Sequence, residues 1–388
     1  MLKFALRRNL IYPLQLIIWN LVRKLETILI GFLFNFSNSL FYTPIMFIGE
    51  FLSGLLIYLY QKQFLKKQKE KPKFFNITLI TAKTEMIAPD SRFKIYLLIL
   101  FVAYFDWIQF MIWTAIVPKY FKISGSIVSR LSGILTISDA LFYYYVLRLA
   151  IFKHQLLSLI IIGICLIIIL ITEFFFQEIN IFLTYSEFVI VLVLTFFCEI
   201  LGAILDAIEK YLFEYDFINP FYTLMLEGAF GFFMSFLYFC IPGYLDDLSL
   251  VYKNFSSGEL AWFILLIILY IILSGGRNVY RVITTKIYSP MARSLTDYFL
   301  NPIYLTVDFI LKNDFINKEE RNFAYFIINL VLSFIISICG CVYNEFLILF
   351  FCGLEHETHN QISKRANIFE ELSEIIDDSD SQLNEYKQ

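Results

Sequence analysis

Apolar runs of about 20 residues recur along most of this chain, and each is long enough to cross the hydrocarbon core of a bilayer as a helix. Of the 388 residues, 59% are hydrophobic and only 17% are charged. A soluble domain of this length would need far more polar surface to cover its core. The sequence therefore predicts an all-α polytopic membrane protein.

The apolar runs predict ten transmembrane helices joined mostly by short connections. A basic interfacial segment, residues 1–24, precedes the first helix, and an acidic cytosolic tail, residues 353–388, follows the last. Residues 61–93 contain the run KKQKEKPK and form a cytosolic loop that is too charged to enter lipid. The predicted helices lie near residues 25–41, 43–60, 94–117, 123–145, 154–175, 183–208, 220–241, 260–281, 287–311 and 323–352.

Most lysines and arginines outside the apolar runs fall on one side of this topology. The N-terminal segment and residues 61–94 supply the majority, and we also assign Lys210, Arg277 and Arg281 to connections on that side. Because basic residues in short loops stay on the cytoplasmic side, both termini are predicted to face the cytosol.

Each half of the chain, residues 25–175 and 183–352, contains five of the predicted helices. Because five is odd, two related halves must enter the membrane in opposite orientations, with a pseudo-two-fold axis in the membrane plane. Two pairs of segments support this two-repeat arrangement. PIMFIGE, which ends at Glu50, corresponds to PFYTLMLEG, which contains Glu227, and SRLSGILT around Arg130 corresponds to ARSLTDYF around Arg293.

Each half thus supplies one acid and one base within a predicted helix. A charge in hydrocarbon survives only if it faces protein or water and finds a partner. We therefore expect Glu50, Arg130, Glu227 and Arg293 to converge near the midplane and bind a polar solute. Asp106 on the third helix and Asp297, one turn after Arg293, are further candidates for this substrate site. The alternative is that the four charges only neutralise each other and hold the helices together.

Several of these residues also resemble motifs of the drug/metabolite transporter superfamily. The similar segments are Glu209-Lys210, Pro220, Glu227-Gly228 followed by AFG, MFIGEF at 46–51, Asp106, Arg130, Thr285-Lys286 with Arg293 and Asp297, and Tyr343-Asn344. Their order and spacing resemble the EamA-like members, especially solute carrier family 35, subfamily F, sixth-member type, over residues 25–350.

The resemblance implies two inverted five-helix repeats around a central cavity. It also implies secondary-active transport of a polar, anionic organic metabolite, of the nucleotide-sugar or phosphorylated-metabolite type, in a Golgi or endolysosomal membrane. The expected partners are a small-molecule solute and the lipid bilayer, with a homodimer left open. A non-transporting membrane scaffold or complex subunit with the same fold is the alternative.

The remaining classes of function lack support in the sequence. An enzyme would need a metal-binding His/Asp cluster, a serine nucleophile with its base, or a phosphate-binding glycine loop, and we identify none of them. No cofactor or metal site is predicted. No basic patch with interleaved aromatic residues indicates nucleic-acid binding.

Overall fold

The computed structural model describes most of the apolar part of the chain. The described residues are 11–34, 39–67, 92–112, 133–145, 151–176, 185–240, 256–287, 299–303, 305–306, 323–349, 353–354, 358 and 361. These residues are helical almost throughout and include no β-strand. The all-α class predicted from the sequence is confirmed for this part of the chain.

Nine helices of more than ten residues occur among the described residues. They are α1 (Ile11–Phe34), α2 (Ser39–Lys67), α3 (Arg92–Met111), α4 (Gly133–Tyr145), α5 (Lys153–Phe176), α6 (Tyr185–Glu214), α7 (Pro220–Ser235), α8 (Ser257–Ile287) and α9 (Phe323–Tyr343). A short 3-10 turn, Phe236–Cys240, extends α7. Residues 299–303 and 305–306, inside the ninth predicted span, are also helical.

Seven of the described helices are long and apolar enough to cross a membrane. The seven segments lie in α2, α3, α5, α6, α7, α8 and α9. Large apolar side chains such as Leu56, Ile167, Val193 and Trp262 are exposed on their outer surfaces. An apolar exterior of this extent is suited to lipid rather than water. The chain is therefore an integral multi-pass membrane protein.

Several helices differ in extent from the sequence-based boundaries. Helix α2 continues to Lys67, so residues 61–67 are helical and not part of the loop that was predicted over residues 61–93. Helix α1 begins at Ile11, so Arg23 and Lys24 lie inside a helix that was predicted to start at residue 25. Helix α8 continues to Ile287 and includes Arg277 and Arg281. Apolar runs locate a helix better than they locate its ends, because a helix can continue past the last apolar residue wherever it packs on protein.

The core of the bundle is built around α2, α7 and α8. Helix α2 packs on both of the others, α7 also contacts α3, and α8 also contacts α1 and α6. Helix α6 contacts α3 and α4, whereas α5 packs between α4 and α9.

Helices α2 and α7 cross in direct backbone contact. A Cβ on Gly54 would lie 2.9 Å from the carbonyl oxygen of Phe221, and a Cβ on Gly228 would lie 2.8 Å from that of Phe47. Later residues of α2 thus meet earlier residues of α7, so the two helices run antiparallel. Only glycine allows helices to approach this closely.

Asn219 fixes the start of α7. Its Oδ1 accepts a hydrogen bond of 2.8 Å from the backbone N–H of Phe221, and Pro220 occupies the first helical position. This is a favourable helix start, because an N-terminal N–H is satisfied and proline has no N–H to lose. The Nδ2 of Asn219 donates to Oε1 of Gln61 on α2 at 2.6 Å, and both residues are buried. One side chain therefore caps α7 and joins it to α2.

We expect Asn219→Ala to destabilise the protein by about 1–2 kcal/mol, because it removes both the cap and the hydrogen bond to buried Gln61. Asn219→Asp keeps the capping oxygen and should cost less. Thermal unfolding of the two variants in the same detergent checks this order. Equal losses in both variants would mean that the cap contributes nothing.

Two apolar clusters fill the bundle at different heights. The first apolar cluster consists of Ile30, Tyr42, Ile45, Met46, Phe47, Trp107, Tyr238, Phe263, Leu266 and Tyr270. The second apolar cluster consists of Ile95, Ile99, Leu212, Phe213, Ile218, Phe221, Leu224, Val282 and Ile283. Along α3, α7 and α8, the buried charged residues Asp106, Glu227 and Arg281 lie between members of the two clusters.

Candidate functional site

A group of buried polar side chains lies between the two apolar clusters. We define this central polar cluster as Glu50, Asp106, Glu209, Glu227, Asn278 and Arg281, from helices α2, α3, α6, α7 and α8. Every member is at most 7% exposed. Ionisable groups buried at this depth in a membrane protein are costly and generally mark a functional site.

Arg281 is the centre of this cluster. Its Nη2 lies 2.6 Å from Oε2 of Glu227 and 3.2 Å from Oε1 of Glu209, so one nitrogen joins carboxylates from α6 and α7. Glu50 and Asp106 also interact electrostatically with this guanidinium. Four carboxylates therefore surround one fully buried cation.

Glu50 is held by an amide rather than by a direct ion pair. Asn278 Nδ2 donates to Glu50 Oε1 at 2.5 Å, and Arg277 Nη1 donates to Asn278 Oδ1 at 2.7 Å. Gly49, the residue before Glu50, makes this contact possible, because a Cβ there would lie 3.1 Å from the backbone nitrogen of Gly275 on α8. Glu50 thus faces α8 at a point where the two backbones nearly touch.

Three of the six residues predicted as substrate-binding meet in this cluster. The structure brings Glu50, Asp106 and Glu227 together, although they are far apart in sequence. Arg130, Arg293 and Asp297 lie outside the described residues. Their predicted convergence with the acids therefore stays a prediction.

The sequence analysis missed the basic partner of Glu227. We assigned Arg281 to a cytosolic connection, but it is only 1% exposed inside α8, and that assignment is wrong. Lys210, assigned in the same way, is also buried, where it pairs with Glu214 at 2.6 Å and donates to the carbonyl oxygen of Thr285 at 3.1 Å. Both cations are retained inside the bundle by acceptors that face them.

The spacing of polar residues on α8 could have revealed Arg281. Ser274, Asn278, Arg281 and Thr285 follow each other at intervals of three or four residues, and all four are buried. Polar residues at helical spacing define one face of a helix. In a lipid-embedded helix that face turns toward the protein interior, so its arginine is expected there rather than in a loop.

No known protein family matches this chain, and no curated protein matches it. We therefore interpret the site from its own geometry. Chemically, the central polar cluster offers buried charged and hydrogen-bonding groups inside the bundle. Five helices contribute these groups, and the relative positions of the helices decide which groups pair.

Proposed function

We propose that this protein is a secondary-active transporter that moves a polar organic solute across a membrane by alternating access. The observation that carries the proposal is the central polar cluster, which places four carboxylates and a guanidinium between two apolar clusters. Carriers keep their binding sites near the bilayer midplane, at the interface between repeats. A charge-rich layer enclosed by apolar layers is the arrangement that such a site requires.

The helix contacts support two inverted repeats. Suppose that α1, α2 and α3 of the first repeat correspond to α6, α7 and α8 of the second. The contact between α2 and α8 then predicts a contact between α7 and α3. The contact between α1 and α8 likewise predicts a contact between α6 and α3. All four contacts are present. Helices α2 and α7 also cross antiparallel, as corresponding helices of inverted repeats must at the symmetry axis.

The full proposed architecture has ten transmembrane helices in two repeats. Glu50 and Glu227 occupy corresponding positions on α2 and α7, and the helical residues 299–303 belong to the ninth helix. This arrangement agrees with the resemblance to the drug/metabolite transporter superfamily, which we retain as a proposal. Removing Lys210, Arg277 and Arg281 from the loops leaves the basic excess with the N-terminal segment and residues 61–94, so we also propose that both termini are cytosolic. The endomembrane location is proposed from the resemblance alone.

The charge of the solute depends on which residues complete the site. The resemblance implies an anionic metabolite, and the cations that would hold it are Arg130 and Arg293. The described cluster instead contains more carboxylates than guanidiniums, which favours a cation or a proton at that point. The transport test must therefore include solutes of both charges.

Uptake into proteoliposomes tests the proposal. We would offer labelled UDP-N-acetylglucosamine, glucose 6-phosphate and tetraethylammonium to vesicles that contain the full-length protein. We expect one of these classes to accumulate, and Glu227→Gln to reduce its uptake by about tenfold, because the charge-assisted bond to Arg281 is lost. Glu259→Gln is the matched control, since Glu259 is an exposed capping residue at the start of α8 whose role glutamine can fill.

Two results would count against the proposal. The first is equal uptake by the wild type and Glu227→Gln, which would remove Glu227 from the transport site. The second is a folded wild-type protein that neither accumulates any of the three solutes nor gains thermal stability from them. The second result would favour the alternative of a membrane scaffold that retains a carrier-like fold.

A further inference from the structure

Glu50 has an incomplete set of interactions for a buried carboxylate. The residue is 0% exposed, and the one hydrogen bond to its carboxylate among the described residues is the bond from Asn278 Nδ2 to Oε1. Its second oxygen, Oε2, has no hydrogen-bond partner in that part of the chain. An ionised carboxylate normally accepts several hydrogen bonds, so a buried one with a single neutral donor is poorly stabilised.

The charges that face Glu50 make its ionised form still less favourable. Carboxylates approach it from three helices, with Asp106 on α3, Glu209 on α6 and Glu227 on α7. The opposing cations are Arg281 and Arg277, both on α8. Four carboxylates thus share two guanidiniums, which would leave a formal charge of −2 at this depth if every carboxylate were ionised.

The two guanidiniums are already engaged with other groups. Arg281 Nη2 contacts Glu227 and Glu209, as described above, and Arg277 reaches the region through Asn278 Oδ1. No three His, Cys, Asp or Glu side chains in the described part of the chain are placed to hold a metal ion. A proton is the species that can neutralise Glu50 without further ligands.

We propose that Glu50 is the proton-binding residue of this protein. The proton binds to Oε2, while Oε1 keeps the hydrogen bond from Asn278, and the proton returns to water when the site opens to the other side. The proton binding follows from the cluster alone. Its role as the coupling ion rests on the proposed transport function.

Release of this proton would change the pairing within the cluster. An ionised Glu50 competes with Glu209 and Glu227 for Arg281, since all three carboxylates interact with the same guanidinium. A change in this competition alters the contacts that connect α8 to α2, α6 and α7. The proton would thus act on the helix contacts that differ between inward-open and outward-open states.

Infrared spectroscopy of the full-length protein in lipid bilayers tests the site directly. A protonated buried carboxyl gives a C=O stretching band that shifts to lower frequency in D2O and disappears as pH rises. We expect this band near neutral pH in the wild type and in Glu259→Gln, and its loss in Glu50→Gln. A band that persists unchanged in Glu50→Gln, or a wild type without any such band across the neutral range, would overturn the proposal.

A second variant keeps the test independent of any folding defect in Glu50→Gln. The Asn278 amide stabilises the ionised form of Glu50 more than the neutral form, because a carboxylate is the stronger acceptor. Asn278→Ala should therefore move the midpoint of the band's pH titration upward by roughly one pH unit. A midpoint that stays in place or falls would mean that the titrating carboxyl is not Glu50.

Transport measurements separate this proposal from the one on which its coupling role rests. With the same three solutes, an imposed pH gradient should change uptake by the wild type and have no effect on Glu50→Gln. If the wild type shows the carboxyl band that Glu50→Gln lacks, but accumulates none of the solutes, the result would support the proton site and count against transport. If uptake is independent of the pH gradient and the wild type shows no carboxyl band that is lost in Glu50→Gln, the result would support transport and overturn the proton site.

Discussion

Arg281→Ala should destabilise the protein by about 3–5 kcal/mol, which we expect to be among the largest losses for a single substitution in this chain. The guanidinium is fully buried and contacts Glu227 and Glu209 through one nitrogen. Its removal leaves two carboxylates without a cation in an interior where water cannot replace it. Denaturant unfolding in mixed micelles, compared with the wild type, measures the loss.

Two further variants separate the electrostatic cost from lost packing. Arg281→Met combined with Glu209→Gln and Glu227→Gln removes the buried charges together while keeping side-chain volume, and should recover most of the stability. Lys62→Ala, which removes an exposed lysine from α2, should cost less than about 1 kcal/mol. If Arg281→Ala were as mild as Lys62→Ala, Arg281 could not be the cation that the cluster depends on.

Gly228→Ala should have the second-largest effect, although it adds only one methyl group. The new Cβ would overlap the backbone amide of Phe51 and lie 2.8 Å from the carbonyl oxygen of Phe47. Backbone atoms of a neighbouring helix cannot rotate away, so α2 and α7 must separate. We expect a loss of about 3 kcal/mol, the upper end for overpacking, together with reduced uptake because neighbouring Glu227 is displaced.

Gly163→Ala on α5 is the matched control for Gly228→Ala. Among the described residues, a Cβ there would meet just one atom within 4 Å, Cδ1 of Ile137 at 3.9 Å, which is an ordinary contact. Alanine is also a better helix former than glycine by about 1 kcal/mol. The control should be neutral or slightly stabilising in the same unfolding measurement, and an equal loss in both variants would argue against the close α2–α7 crossing.

The sequence predicted the helical architecture and the acidic residues of the site for a clear physical reason. Lipid requires long apolar helices and penalises any charge that faces it, so Glu50, Asp106 and Glu227 could be placed in the protein interior from their apolar surroundings alone. That inference needs no knowledge of which helices touch. It therefore holds wherever the apolar runs are correctly recognised.

The cation that pairs with these acids could not be predicted in the same way. Glu227 pairs with Arg281 because α7 and α8 are neighbours, and neighbours are decided by packing over the whole bundle. Sequence correspondence between the halves pointed instead to Arg130 and Arg293. We counted Arg281 as a loop residue because it lies near the end of an apolar run, whereas α8, which is 31 residues long, continues past it to Ile287.

The direct backbone contact between α2 and α7 affects how these two helices can move against each other. At Gly54 and Gly228 the nearest atoms of the partner helix are backbone atoms, so at these two points one helix can rotate against the other without first withdrawing a side chain from a groove. The ring of Phe47, which lies against Gly231, is the side chain that such a rotation would have to move. The Asn219–Gln61 hydrogen bond, at the start of α7 and close to the contact of Gly54 with Phe221, limits how far that rotation can go. The two helices can thus rotate against each other over a limited range, and a small rotation of this kind would move Glu50 and Glu227 together.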